Sequence, residues 1–327
     1  MEPSVIGIDV AKDSLDVFLL SGSQQAYKQF ANDLDGYRHL LAWLKHKRAD
    51  RVHACLEATG QYSDGVAAYL YEQGLAVSVI NPARIKAYGR SKLQRNKTDK
   101  ADAELIARFC AEQNPALWTP PPACFKELQA LVRRLDDLQI NLTQEQNRLH
   151  SGTQSETVIA GLKTHIAFLE EQIKQLQRAI QDHINQCPEL KQQQELLISI
   201  PGVGKLTAAK LLGEINHITQ FEDARQLAAY AGLTPKNFFS GSSVRKKSIL
   251  TKTGNANLRK LLYMPAISDK RWNPIIKAFC ERLLASGHSP MQVIAAAMRK
   301  LLHLAYGILK SGRPFDPNYL VKVQAFS

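Results

Sequence analysis

Residues 96–105 read NKTDKADAEL, and Asp99 and Asp102 stand three apart where a helix begins, on one face of its first turn. Arg90, Lys92, Arg95 and Lys97 lie just upstream. Two further acids occupy unusual places: Asp9 inside the apolar strand VIGIDV, and Glu57 at the end of the apolar stretch RVHACLEATG. Two chemistries account for such acids. In the first they are structural, facing the unpaired N–H groups and positive dipole of a helix start. In the second the helix packs across the strand ends, so that four carboxylates converge and need cations, because buried anions are costly alone. Hard divalent ions take oxygen ligands and keep places for water and phosphate oxygens. Two of them roughly 4 Å apart would clamp the attacking and leaving oxygens of a phosphodiester. Arg95 and Lys97 would then hold the nucleic-acid backbone.

The elements that would position these acids are legible along the first half. Residues 5–20 pattern as two strands and 27–32 as a third. Helical spacing follows over 34–47, a buried strand over 51–60, a helix over 62–74 closed by Gly74, and another strand over 75–81. Strands alternating with helices argue for an α/β layer with a partly parallel sheet. ALWTPPPA (116–123) is a linker, since three prolines exclude a continuing helix. Two leucine and isoleucine seams with 3,4 spacing run from Leu128 to Leu149 and from Ile159 to Ile180, broken by SGTQS. Such a seam either folds back on itself or pairs between chains.

The 327 residues are 45% hydrophobic and 22% charged, which suffices for two or three cored domains. No apolar run is long enough to cross a membrane, and MEPSVIGIDVAKD lacks the build of a signal peptide. The expectation is a cytoplasmic, nucleoid-associated protein of bacterial type with no membrane partner. Five scattered cysteines without a C-x-x-C pair fit reduced thiols better than a disulfide framework or a zinc site. Net charge is +12, and the excess lies in the last 92 residues, which hold 16 Lys/Arg against three acids. A basic surface of this kind points to a polyanion, nucleic acid before membrane.

In that basic half, IPGVGKLTAAKLL resembles a helix-hairpin-helix element, in which Gly202, Gly204 and Lys205 would meet a phosphate. SGSSVRKKS (240–248) reads as a flexible basic loop whose Arg245, Lys246 and Lys247 would grip phosphate. Arg259 and Lys260 at a helix start are further candidate backbone contacts. His53 shares a face with Glu57 but suits a core role, and no histidine is assigned to catalysis. Ser240 by itself has no neighbouring base, and a serine hydroxyl is a weak nucleophile without activation.

A strand Asp, a strand-end Glu and a helix with two Asp resemble the RNase H-like nucleases of RuvC type. More narrowly, GIDVAKDSLDV, CLEATG, VINPARIKAY, RNKTDKADA, YAGLTPKNFFSGSSVRKKS and TKTGNANLRKLLYMPA resemble the motifs of the DEDD transposases related to the Piv DNA invertase, the IS110 insertion-sequence family. The likeness spans about residues 5–317. It implies a RuvC-like α/β domain at 1–117, a coiled coil at 124–192, and an all-α transposase domain at 193–327 with a helix-hairpin-helix element and the catalytic serine. It implies that Asp9, Glu57, Asp99 and Asp102 hold Mg²⁺, with Mn²⁺ as the alternative ion. Ser240 then attacks DNA to form a covalent 5′-phosphoserine link, in a composite site with those acids. The implied partners are element-end and target DNA, a non-coding guide RNA encoded beside the gene, and further copies of the chain in a dimer or tetramer. Two rival readings keep the same residues: a hydrolytic, structure-selective RuvC-type nuclease in which water attacks, and a non-catalytic scaffold in which the acids cap helices.

Overall fold

The computed structural model describes residues 4–49, 51–93, 98–152, 154–240 and 244–318; at 61, 237–240 and 244–248 the backbone alone is described. The chain divides into two compact units, Met1–Pro120 and Pro121–Ser327.

The first unit runs β1 (Val5–Val10), β2 (Ser14–Ser21), β3 (Gln24–Ala31), α1 (Leu34–His46), β4 (His53–Glu57), α2 (Gln61–Glu72), β5 (Ala76–Ile80), α3 (Pro82–Ser91) and α4 (Asp99–Gln113). Its five strands lie in the order β3-β2-β1-β4-β5. The first three strands are joined by tight turns and pair antiparallel; β1–β4 and β4–β5 pair parallel, each reached by a helical crossover. Strand alternation gives the sheet two apolar faces. Ile6, Ile8, Val10, Leu15 and Leu56 form one core with Leu40 of α1 and Leu70 of α2. Val5, Phe18 and Cys55 form the other with Ile85 of α3 and Ala103, Ile106 and Ala107 of α4. Asp9 and Glu57 are two residues beyond Gly7 and Cys55 and so belong to the α4 side.

Helix starts in this unit follow from local chemistry. Asn81 accepts from the Ala83 amide ahead of Pro82, and Thr98 Oγ1 accepts from the Ala101 amide at 3.2 Å. His53 is buried, and its Nε2 shares a 2.8 Å hydrogen bond with Ser78 Oγ, the core role expected for it.

The second unit runs α5 (Ala123–His150), α6 (Glu156–Gln186), α7 (Pro188–Ile198), α8 (Lys205–Ile215), α9 (Ala224–Tyr230), β6 (Pro235–Ser240), β7 (Val244–Leu250), α10 (Ala256–Leu261), α11 (Tyr263–Trp272), α12 (Pro274–Ala285) and α13 (Pro290–Ser311), with a 3-10 turn at 218–220. The leucine seams fold back within the chain: Leu128, Leu135 and Leu138 of α5 pack with Leu169, Ile173, Ile180 and Ile184 of α6, in one core continuous with the helices that follow. Five residues between the helices suffice for such an antiparallel hairpin.

This unit is not all-helical, contrary to the sequence expectation. β6 and β7 form an antiparallel hairpin in which Pro235 pairs with Leu250 and Ser240 with Val244. The stretch read as a basic loop is therefore largely strand. The physical reason is visible in the residues: Phe238 and Phe239 in the first strand and Val244 and Ile249 in the second are strand formers. Among the described residues no helix is long and apolar enough to cross a membrane.

Candidate active site

Gly7 decides the geometry of the first unit. A β-carbon there would overlap the Ala103 carbonyl oxygen and the Ala107 amide, so α4 lies directly on β1. That contact carries the first turn of α4, with Asp99 and Asp102, towards the C-terminal ends of β1 and β4. Asp9, Glu57 and Asp102 are half-buried there and Asp99 is exposed.

Electrostatics show that the four acids share one region. The Asp9 carboxyl is pushed up to about 6, first by burial and then by the charges of Asp102, Glu57, Asp99 and Asp16. The capping account of the α4 acids is weakened, because Thr98 fills the N-cap position. Among the described residues, no three His, Cys, Asp or Glu side chains close on one point as a formed metal site would. The acids are thus close enough to repel and stand wider apart than a ligand sphere. An all-oxygen, mutually repelling set fits a hard divalent ion in its chemistry.

Sequence reasoning missed two contributors. Gly7 carried a signal, a glycine inside a strand, which marks close approach of another backbone. Asp16 lies opposite Asp9 in the β1–β2 ladder and is buried. It accepts hydrogen bonds from the Tyr27 hydroxyl and from Gln29 Nε2 (3.2 Å), so it is a held charge rather than a free ligand. Only the β1–β2 register brings it opposite Asp9.

The cations and the serine fare differently. Arg95 and Lys97 lie outside the described residues. Ser240 ends β6, and Arg245, Lys246 and Lys247 lie in β7; their side chains also lie outside the described residues. In the turn between α7 and α8, Gly202 has φ +87°, and a β-carbon would overlap Asp269 Oδ1. This glycine is required by packing as well as by backbone conformation. Gly204 is the N-cap of α8, with open space above it, and Lys205 is exposed at the first position. Arg259 Nη1 donates to the Ala231 carbonyl at 3.0 Å, a brace between α10 and the turn after α9, while Lys260 is exposed.

Sequence comparison adds an independent line. Residues 6–154 match a family described as transposase (the DEDD type of IS110), and residues 194–281 match one described as transposase of the IS116/IS110/IS902 family. The pilin gene-inverting protein of Moraxella bovis is 36% identical over 97% of this chain and 98% of its own length. The transposase for insertion sequence element IS1328 of Yersinia enterocolitica is 24% identical, covering 77% of this chain and 82% of that one. An uncharacterised protein of insertion element IS110 from Streptomyces coelicolor is 28% identical over 57% of this chain and 45% of its own. Among solved structures, Thermus thermophilus RuvC in complex with a Holliday junction aligns with 34% of this chain and 96% of its own, at 14% identity and a TM-score of 0.27.

Proposed function

The chain belongs to the IS110 family of DEDD transposases and gene-inverting proteins, and from that premise we propose that it cuts and rejoins DNA through a covalent phosphoserine. The observation that carries the catalytic half of this reading is the Asp9 carboxyl, pushed up to about 6 within a group formed by Glu57, Asp99 and Asp102. A half-buried carboxyl so shifted, with three further acids near it at strand ends, marks a site built for a charge not its own.

Asp9, Glu57, Asp99 and Asp102 would hold divalent metal, Mg²⁺ or Mn²⁺. Bound there, the metal would supply positive charge against the scissile phosphate and the oxygens entering and leaving it. The Ser240 hydroxyl oxygen bonds to phosphorus, the bond from phosphorus to the 3′ oxygen breaks, and the strand leaves as a 3′ hydroxyl. One phosphodiester is exchanged for another, so a new 3′ hydroxyl can displace the serine and reseal DNA without an external energy source. Arg95, Lys97, Arg245, Lys246, Lys247 and Lys260 supply phosphate contacts. The Gly202–Lys205 turn acts as a helix-hairpin-helix contact, with the open N-terminus of α8 towards a phosphate. Arg259 steadies the fold near them. A guide RNA would take its place on the surface of the strongly basic last 92 residues, and further copies of the chain would assemble with it.

Trapping tests the reading. The full chain is incubated with element-end DNA, its flanking RNA and Mg²⁺, then denatured and mapped by mass spectrometry. A DNA adduct on Ser240, absent from Ser240→Ala and Asp102→Asn, is the expected result. Cut DNA without adduct would transfer the reaction to water as nucleophile.

A further inference from the structure

The foot of the β6–β7 hairpin opens into a groove of about 1190 Å³ whose far wall is α13. The groove exceeds the roughly 300–1,000 Å³ of a small-molecule pocket. Its floor is apolar and in part left to water: Ile249 is 56% exposed, Met291 62% and Tyr263 38%. Lys252, Arg299 and Lys300 stand among its lining residues, and none of those residues is acidic. His303 also lines it, and its Nε2 is buried without a hydrogen-bond partner.

This composition suits one class of occupant. An exposed apolar floor with an aromatic ring accepts base faces, which a closed duplex hides in its stack. A cation-only lining accepts the phosphates that connect those bases. An apolar peptide would cover the cations without supplying partners for them, which costs free energy. We infer that this groove binds an unpaired DNA strand, bases on the Ile249–Tyr263–Met291 floor and phosphates on Lys252, Arg299 and Lys300.

The inference rests on the reading of Ser240 as the cleaving residue, because that reading places the strand. The groove takes Pro235 and Ile249 from the base of the hairpin, and Ser240 lies at the far end of β6, about 17 Å away at strand rise. At about 3.4 Å per stacked nucleotide that is at most about five nucleotides, and fewer when unstacked. The groove would therefore receive the strand end opened by cleavage and keep it from re-pairing before exchange.

The test uses the full chain and fluorescence anisotropy with a short oligo(dT) strand, a duplex of the same length, and an oligo(U) strand, across a salt series. Met291→Asp changes an exposed side chain in the first turn of α13, where an acid suits the helix start; Arg299→Glu with Lys300→Glu is the second variant, and both are checked by circular dichroism. For Met291→Asp the expected result is a loss of about tenfold or more in oligo(dT) affinity with duplex affinity unchanged, since an acid on the floor removes an apolar base contact and repels the strand's phosphates. The charge reversal should also flatten the salt dependence of strand binding. Unchanged oligo(dT) affinity in Met291→Asp overturns the inference, as does an equal loss for duplex, which would mean a general phosphate grip. Binding of oligo(U) without oligo(dT) overturns the assignment to DNA. The Ser240 adduct is read separately: an adduct that forms normally while groove variants bind oligo(dT) as before sinks the groove and leaves the chemistry standing. Loss of strand binding with no adduct under any condition does the reverse.

Discussion

Gly7 and Ala107 meet backbone to backbone: a β-carbon on Gly7 would lie 2.9 Å from the Ala107 Cα and would overlap its amide nitrogen. The helix that bears Asp99 and Asp102 is seated on the strand that bears Asp9 by this one missing side chain. The acid cluster depends on it as much as on the acids.

Gly7→Ala should therefore separate two effects. Overpacking a close backbone contact costs about 1–3 kcal/mol, so the first unit should melt lower and still fold. DNA cleavage should fall far more than stability, because α4 is pushed away from β1. Thermal melting and cleavage rates on the same preparation check this; cleavage that falls only in step with stability contradicts it.

Asp102→Asn should abolish cleavage while raising the melting temperature in chelator. Asp102 is the foremost charge acting on Asp9 after burial itself. Removing it relieves repulsion among the acids when no metal is bound, a gain of stability at the expense of function. Added Mg²⁺ should stabilise the wild type more than the variant. Equal response to Mg²⁺ in both would remove Asp102 from the ion's site.

The acid cluster shows how far residue pattern alone reaches. Asp9, Glu57, Asp99 and Asp102 were legible because each breaks a local expectation: an acid in an apolar strand, or two on one helical face. Asp16 was not, since a polar residue beside a strand turn is ordinary until the β1–β2 register sets it opposite Asp9. The parallel pairing of β1 with β4 likewise depends on the crossovers and not on any one segment. The hairpin over 235–250 is masked in the sequence by lysines and serines that suggest a loop, while Phe238, Phe239, Val244 and Ile249 have strand chemistry. The leucine seams permit intra- and interchain pairing alike, and in the structure α5 and α6 pack on each other within the chain.

Asp269 gives the second unit a pH signature. It is fully buried, neither carboxylate oxygen has a hydrogen-bond partner, and burial pushes its pKa up to about 7. A carboxyl that holds its proton more tightly folded than unfolded stabilises at low pH. Its contribution falls as pH rises from the ordinary carboxylate range to about 7, then levels. At about 1.4 kcal/mol per pH unit the span is at most roughly 4 kcal/mol. Asp269→Asn should flatten the stability of the second unit between about pH 4 and pH 7. A wild-type profile without that decline contradicts the placement of Asp269.

Glu214 should prove a keystone of the same unit. It is 3% exposed, bound by Arg133 at 2.9 and 3.2 Å and by Asn255 Nδ2 at 2.7 Å, and so ties α5 and α8 to the start of α10. Glu214→Ala leaves those donors without their acceptor and should cost about 2–4 kcal/mol, less than a fully buried pair because Arg133 is partly solvated. Chemical denaturation of the variant checks this. A cost under about 0.5 kcal/mol, the range of an ordinary surface change, would show the network to be incidental.

In the proposed reaction a serine and not water attacks the phosphodiester, and mass spectrometry of the denatured reaction with element-end DNA, flanking RNA and Mg²⁺ distinguishes the two. The account predicts a 5′-phosphate adduct on Ser240 that is lost in chelator and in Asp102→Asn. Cleaved DNA carrying a free 5′ phosphate, with Ser240 unmodified and Ser240→Ala fully active, would contradict it.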